Sequence, residues 1–155
     1  MTALGRARWL ALLLPAVLMI GALGSQFFGG LFPCEMCHWQ RWPHYTAIVL
    51  ALCAFLVRGK GWQRFLIAFA ALAILVSGLI GFYHAGVEYG VFKGFTHCAL
   101  VTEGLPSLST IAQAPIVSCN VPQWTLLGVS LAGFNALFSG LGGLLILALL
   151  RRSMR

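Results

Sequence analysis

The chain has 155 residues, 60% of them hydrophobic and only 8% charged, with a formal net charge of +7. A soluble domain of this size carries about 25% charged residues, so there is too little polar surface here to face water. That excludes an ordinary soluble enzyme, and the placement of the basic residues, taken up below, excludes nucleic acid as the reason for the positive charge.

Four apolar stretches follow one another along the chain. Trp9 to Phe28 is a run of 20 residues without a charge, long enough to cross a hydrocarbon core. Arg6, Arg8, the apolar run and Ala22-Leu23-Gly24 also fit a secretory signal peptide. The run is longer than a usual signal core and continues through Phe28, so a retained first helix over about 9–28 is the expectation. A first outer loop, about 29–40, carries Cys34-Glu35-Met36-Cys37-His38. His44 to Val57 has only 14 residues, about 21 Å of helix against a core of ~30 Å. It spans if it begins near Trp39 and takes Arg41, Trp42 and Pro43 into its first turn, where a proline costs no hydrogen bond; the second helix is therefore set at about 39–57. Phe65 to Tyr83 supplies the third, about 65–83. A long outer loop, about 84–124, contains Cys98 and Cys119, punctuated by Pro106, Pro115 and Pro122. Within it, Ser107 to Ala112 predicts one or two helical turns with Leu108 and Ile111 on one face, suited to a membrane surface. Thr125 to Leu150 supplies the fourth helix, about 125–150.

The charges orient these spans. Eight of the ten basic residues (Arg6, Arg8, Arg58, Lys60, Arg64, Arg151, Arg152, Arg155) flank the spans on one side, which the positive-inside rule makes the cytoplasm. Glu35, Glu88 and Glu103, all four histidines and four of the five cysteines fall on the other. The expected architecture is all-α: residues 1–155 as one integral membrane domain, a four-helix transmembrane bundle with both termini cytoplasmic and two periplasmic loops.

Cys53, in the middle of the second span, reads as a small hydrophobic packing residue. The outer four face an oxidising compartment, where disulfides persist. Two structural disulfides are the plain reading, yet Cys34 and Cys37 would close a ring too small to restrain much chain. Tight or exposed disulfides are the labile, catalytic kind. Cys98 and Cys119 close a loop worth roughly 3 kcal/mol in the chain-entropy model, and that pair can be structural, catalytic or both. Cys34-x-x-Cys37-His38 is also an attachment signature for c-type haem. A membrane-anchored haem protein is the alternative, but a loop of about a dozen residues leaves no room for a haem pocket. Zinc held by Cys34, Cys37, Cys98 and Cys119 or His97 has the right ligand types. A dithiol relay, with no metal, uses all four outer cysteines and explains why they share a face. Arg41, His38 and the N-terminus of the second helix favour a thiolate at Cys37, while Glu35 opposes it. An arginine at membrane depth reads as functional. Arg41 would donate a hydrogen bond to the carbonyl of an apolar molecule dissolved in the bilayer, and a quinone fits that description.

The stretch Pro33-Cys-Glu-Met-Cys-His-Trp-Gln-Arg-Trp-Pro-His-Tyr45 resembles the first loop of the disulfide bond formation protein B family (DsbB-like), with its Cys-x-x-Cys followed by Gln-Arg-x-Pro. Phe82 to Gly90 with Cys98 after it, and Ser118 to Asn135, resemble that family's exit from the third helix and entry into the fourth. The match runs from about residue 10 to 150. The resemblance implies a quinone-dependent enzyme of the bacterial inner membrane that reoxidises a periplasmic thioredoxin-fold (DsbA-like) dithiol oxidase and passes the electrons to ubiquinone or menaquinone. It implies Cys34 and Cys37 as the quinone-linked pair, Arg41 and His84 as quinone contacts, and Cys98 and Cys119 as the pair that exchanges with the partner, Cys98 taking the attack. Local chemistry points the other way for that last step, since His97 makes Cys98 the better leaving group. The 20 residues between Cys98 and Cys119 are fewer than in some members, which bears on the choice of partner.

Overall fold

The computed structural model describes residues 2–94, 99–100 and 116–155. Four long helices are present: α1 (Ala3–Phe27), α2 (Glu35–Leu56), α3 (Lys60–Glu88) and α4 (Leu131–Met154). Two short antiparallel pairs lie between α3 and α4. β1 (Ala99–Leu100) pairs with β2 (Ile116–Val117), and β3 (Thr125–Leu126) pairs with β4 (Val129–Ser130). Cys98, His97, Glu103 and the expected helical turns over Ser107 to Ala112 lie outside the described residues.

Every helix departs from its expected bounds, for identifiable reasons. A charged residue ends an apolar run, but it does not end a helix. So α1 begins at Ala3, capped by the Thr2 hydroxyl accepting from Gly5 N at 3.1 Å, and carries Arg6 and Arg8 within it. Likewise α3 begins at Lys60, and α4 carries Arg151 and Arg152 in its last turn. The start of α2 is at Glu35 rather than Trp39, because the Cys34 sulfur acts as its N-cap, accepting from Cys37 N at 3.2 Å. Pro43 therefore sits in the third turn, where its missing N–H removes one helical bond, and not in the first turn as the sequence implied. The third helix continues past Tyr83 to Glu88, so His84 is a helical residue and not the start of a loop. Gly90, in the left-handed region at φ 72°, ends it, with Gly90 N bonded to Val87 O and Val91 N to Gly86 O. The fourth helix begins at Leu131, not at 125. The six residues before it are apolar but form the β3–β4 hairpin, turning through Leu127 (φ 51°) and Gly128 (φ 77°). Two positive-φ residues in a two-residue loop match the right-handed twist of a hairpin. Ser130 then caps α4, accepting from Gly133 N at 3.1 Å.

The helices form a four-membered ring. Each packs on two neighbours, α1 on α2 and α4, α3 on α2 and α4, with α1 and α3 facing each other across the diagonal. The core is made of small side chains: Ala7, Ala11, Ala47, Ala51, Ala54, Ala70 and Ala71 are fully buried around Ile67, Ile74 and Ile146. Where hydrophobic driving force between helices is weak, as in lipid, small residues let backbones approach closely. The α3–α4 seam is the clearest case: a Cβ on Gly78 would stand 3.1 Å from Gly140 N, and one on Gly81 2.9 Å from Ala132 O. Large apolar residues point outward instead, among them Val17, Ile20, Leu56, Leu79 and Leu141. Three helices, α1, α3 and α4, are long and apolar enough to cross a membrane, whereas α2 is not apolar enough to count as a span on composition. The polar residues of its first three turns are the reason, and they line the site.

Candidate thiol and cavity site

The site lies at the end of the bundle opposite the basic helix ends. Two loop segments are tied together there by Gln123, which accepts from Phe32 N (3.0 Å) and donates to Phe32 O (2.5 Å). This holds the chain around Cys119 over the first outer loop. Tyr89 fixes the hairpin to the end of α3, donating to Gly128 O and accepting from Ser130 N, both at 2.8 Å.

Between these anchors the sulfurs converge. The Sγ atoms of Cys34 and Cys37 are 2.7 Å apart, and Cys34 Sγ lies 3.6 Å from His84 Nε2. The Cys34 and Cys119 sulfurs and the His84 nitrogen all fall within 4.8 Å of one another, all buried. That trio also has the donor types a thiophilic ion would take. Of the sequence-predicted residues, Cys34, Cys37, Cys119, Arg41 and His84 come together, and Cys98 lies outside the described residues. Cys53 stands apart in α2, as expected. A haem bonded to both sulfurs and ligated by His38 has no common face here, because Cys34 is buried and His38 exposed.

The two thiols of the pair precede the part of α2 expected to cross the membrane, and they differ in proton affinity. Cys34 is held well above the ordinary thiol range by its hydrogen bonds with Cys119 and Cys37 and by burial. Cys37 is lowered, chiefly because Cys34 donates to it, with a smaller contribution from the Arg41 guanidinium. Of the two, Cys37 is the thiol whose thiolate form is favoured.

Beneath the sulfurs is a cavity of about 230 Å³ bounded by all four helices and by the loop segments around Phe32 and Val121. Its walls are apolar (Leu18, Met19, Phe134, Phe138), with Cys34, Cys37, Arg41, Gln40, His44, His84 and Asn135 exposed to it. An apolar chamber between helices with a few convergent polar groups is the usual form of a small-molecule site. Arg41 leans towards α1, donating from Nη1 to Gln26 Oε1 (2.6 Å) and from Nη2 to Ala22 O (3.4 Å).

A family profile described as "Disulfide bond formation protein DsbB" matches residues 5–149. The chain belongs to the DsbB family. Among relatives of this DsbB-family chain, "Disulfide bond formation protein B" of Verminephrobacter eiseniae is 33% identical over 159 residues, covering 96% of this chain and 88% of that protein. An uncharacterised protein of Rickettsia prowazekii is 29% identical over 114 residues, covering 69% of this chain and 64% of the relative's length. No solved structure is matched.

The DsbB-family chain also holds a polar network that the sequence reading did not identify. Gln40, His44, Ser77, Asn135 and Ser139 form a buried polar network directly below the thiols. Gln40 Nε2 donates to His84 Nδ1 at 2.8 Å and to Met36 O at 3.2 Å. His84 is thereby an acceptor at Nδ1, which leaves its proton on Nε2, facing Cys34 and, at 3.7 Å, Glu88 Oε1. A signal was present in the sequence: lone Ser, Asn, Gln and His residues in apolar spans are costly and mark function.

Proposed function

We propose that the protein is a single membrane-embedded thiol–disulfide oxidoreductase that takes electrons from a reduced thioredoxin-fold dithiol protein (DsbA-like) and delivers them to ubiquinone or menaquinone. The observation that supports this reading best is the convergence of three cysteine sulfurs over an apolar cavity edged by Arg41 and His84. In bacteria the DsbA–DsbB–quinone route keeps the periplasm oxidising. The site end then faces the periplasm and the basic end the cytoplasm, with both termini on the inner side and α2 crossing as the fourth span between α1 and α3.

The relay is a series of exchanges. A partner thiolate attacks the Cys98–Cys119 disulfide at Cys98, forming a mixed disulfide and releasing Cys119 as thiolate. The partner's second thiolate then attacks its own sulfur in that bond, so the partner leaves with a disulfide and Cys98 leaves as thiolate. Next Cys119 attacks Cys34 of the Cys34–Cys37 disulfide, forming Cys34–Cys119 and expelling Cys37. The lowered proton affinity of Cys37 makes it the better leaving group. Attack by Cys98 on Cys119 regenerates the loop disulfide and frees Cys34. With Cys119 already beside Cys34, this exchange needs no large loop movement.

Quinone fits the cavity on an observation independent of family. The chamber is apolar, yet it presents the Arg41 guanidinium, a donor from which a quinone ring carbonyl can accept. When bound, the quinone supplies the two-electron acceptor. Arg41 would donate to a ring oxygen, Cys37 would face the ring as thiolate, and His84 would keep its Nε2–H on Cys34.

The test is ubiquinone absorbance during turnover of the purified protein with a reduced thioredoxin-fold partner. Wild type should reduce quinone, and Cys34→Ser and Cys37→Ser should not. Arg41→Ala should raise KM for quinone roughly tenfold to a hundredfold, the loss of one charge-assisted hydrogen bond of about 1.5–3 kcal/mol, with KM for the partner unchanged. Quinone reduction retained in both serine variants would defeat the relay.

A further inference from the structure

The polar network below the thiols has a fixed direction, because three of its members are backbone carbonyls that can only accept. Gln40 Nε2 donates to Met36 O, so Gln40 turns its Oε1 towards Asn135. Asn135 Nδ2 donates to that oxygen at 2.9 Å and to Ser77 O at 3.1 Å, so its Oδ1 turns to His44. Ser77 donates its hydroxyl proton to Gln40 O at 2.8 Å, so towards His44 it accepts. His44 Nε2 therefore meets only acceptors: Asn135 Oδ1 and Ser77 Oγ, each at 2.9 Å, and at 3.5 Å Ser139 Oγ, whose proton goes to Asn135 Oδ1. A neutral imidazole has one N–H, and the network takes it at Nε2. Nδ1 is left as a bare lone pair, buried and without a hydrogen-bond partner among the described residues. His44 is 3% exposed and lines the cavity.

We propose that His44 is the residue that recognises the reduced ligand, its Nδ1 accepting a ring hydroxyl of the hydroquinone. This rests on the quinone reading of the cavity. A quinone carbonyl has no proton to donate and leaves the buried lone pair unsatisfied, which is costly. A hydroquinone hydroxyl satisfies it. The cavity thus has a donor at Arg41 and an acceptor at His44, and the acceptor discriminates between redox states. Tighter holding of the reduced form makes the bound quinone a stronger oxidant of the thiols: a tenfold preference corresponds to about 30 mV for a two-electron couple.

The two amide substitutions separate the two ring nitrogens. In His44→Gln the amide reaches the Nε2 position and can keep the bonds to Asn135 and Ser77, but the Nδ1 acceptor is gone. In His44→Asn the amide oxygen replaces Nδ1 while the inner bonds are lost. Binding of ubiquinone-1 and ubiquinol-1 to the full-length protein in detergent is read by tryptophan fluorescence quenching, with melting temperature alongside. The expected result is that His44→Gln melts like wild type, binds ubiquinol about fivefold to tenfold more weakly and binds ubiquinone within twofold of wild type, while His44→Asn keeps ubiquinol binding. If wild type binds neither ligand, the quinone reading fails and the inference with it. If wild type binds both and His44→Gln loses neither, or loses both equally, the inference alone is overturned. Should His44→Gln fail to fold, His44→Asn decides: ubiquinol binding like wild type supports the assignment, and its selective loss overturns it.

Discussion

Removing Cys37 should drive Cys34 into a disulfide with Cys119. The perturbation is Cys37→Ala combined with Cys98→Ala, which leaves Cys34 and Cys119 as the two sulfurs of the site. They lie within 4.8 Å of each other, and a disulfide needs about 2.05 Å. The closure is at most about 2.8 Å, the swing of a side-chain rotation, so no helix has to move. The bond would close a loop of about 86 residues, which the chain-entropy relation makes worth roughly 4–5 kcal/mol, against about 2 kcal/mol for the four-residue ring of Cys34 and Cys37. In detergent, where the unfolded reference keeps helical structure, part of that gain is lost. The purified variant is oxidised with diamide under native conditions and mapped by mass spectrometry of its peptides. Its melting temperature is then compared with and without dithiothreitol. The expected outcome is a Cys34–Cys119 cross-link without denaturant and a melting temperature several degrees higher when oxidised. A bond to Cys53 instead, or none until the protein is unfolded, would refute the adjacency of the two sulfurs and the exchange step built on it.

Two further outcomes are expected. Iodoacetamide should label Cys37 ahead of Cys34 in the reduced protein as the pH falls below the ordinary thiol range. The sign follows from the two shifts: Cys37 is lowered, so its thiolate is lost only when the pH passes the lowered value, while Cys34 is raised and stays protonated throughout. Equal labelling of the two by peptide mass spectrometry would contradict the opposite shifts of the two thiols. Gly81→Ala should lower the melting temperature, because its Cβ would stand 2.9 Å from Ala132 O and overpacking costs about 1–3 kcal/mol. Gly61→Ala, whose Cβ would meet nothing within 4 Å in the first turn of α3, should be neutral or stabilising by up to about 1 kcal/mol. The reverse order in a thermal melt would sink the close-approach account of the α3–α4 seam.

What the sequence made legible was set by composition and charge. The four helices, the gathering of basic residues at one end and the place of Cys34, Cys37 and Arg41 at the other follow from apolar run length and from Arg and Lys counts. Helix ends were less legible. Apolarity stops at Arg8 or Arg64 while the helical hydrogen bonds do not, and the run from Thr125 to Ser130 is apolar yet turns back on itself through Leu127 and Gly128. Helix α2 was legible only by carrying its 14-residue apolar run back to Trp39, since Gln40, Arg41 and His44 dilute its hydropathy. The meeting of Cys119 with Cys34 was not legible at all. It depends on Gln123 gripping Phe32 across 91 residues of chain, and no local pattern announces such a contact.

The same packing that makes the bundle tight also makes the site polar. Gly78 and Gly81 bring α3 against α4 so closely that Asn135 can reach Ser77 with both its backbone oxygen and its hydroxyl as acceptors, at 3.1 and 3.0 Å. That contact orients Asn135, Asn135 orients His44 and Gln40, and Gln40 sets the tautomer of His84 beside Cys34. Towards the thiol end α1, α2 and α4 enclose the cavity beneath the sulfurs, with His84 and Glu88 of α3 closing it. A larger residue at the seam would therefore do more than strain two helices. It would release the one constraint from which the proton positions at both ends of the cavity follow, and the thiol chemistry and the ligand preference would shift together.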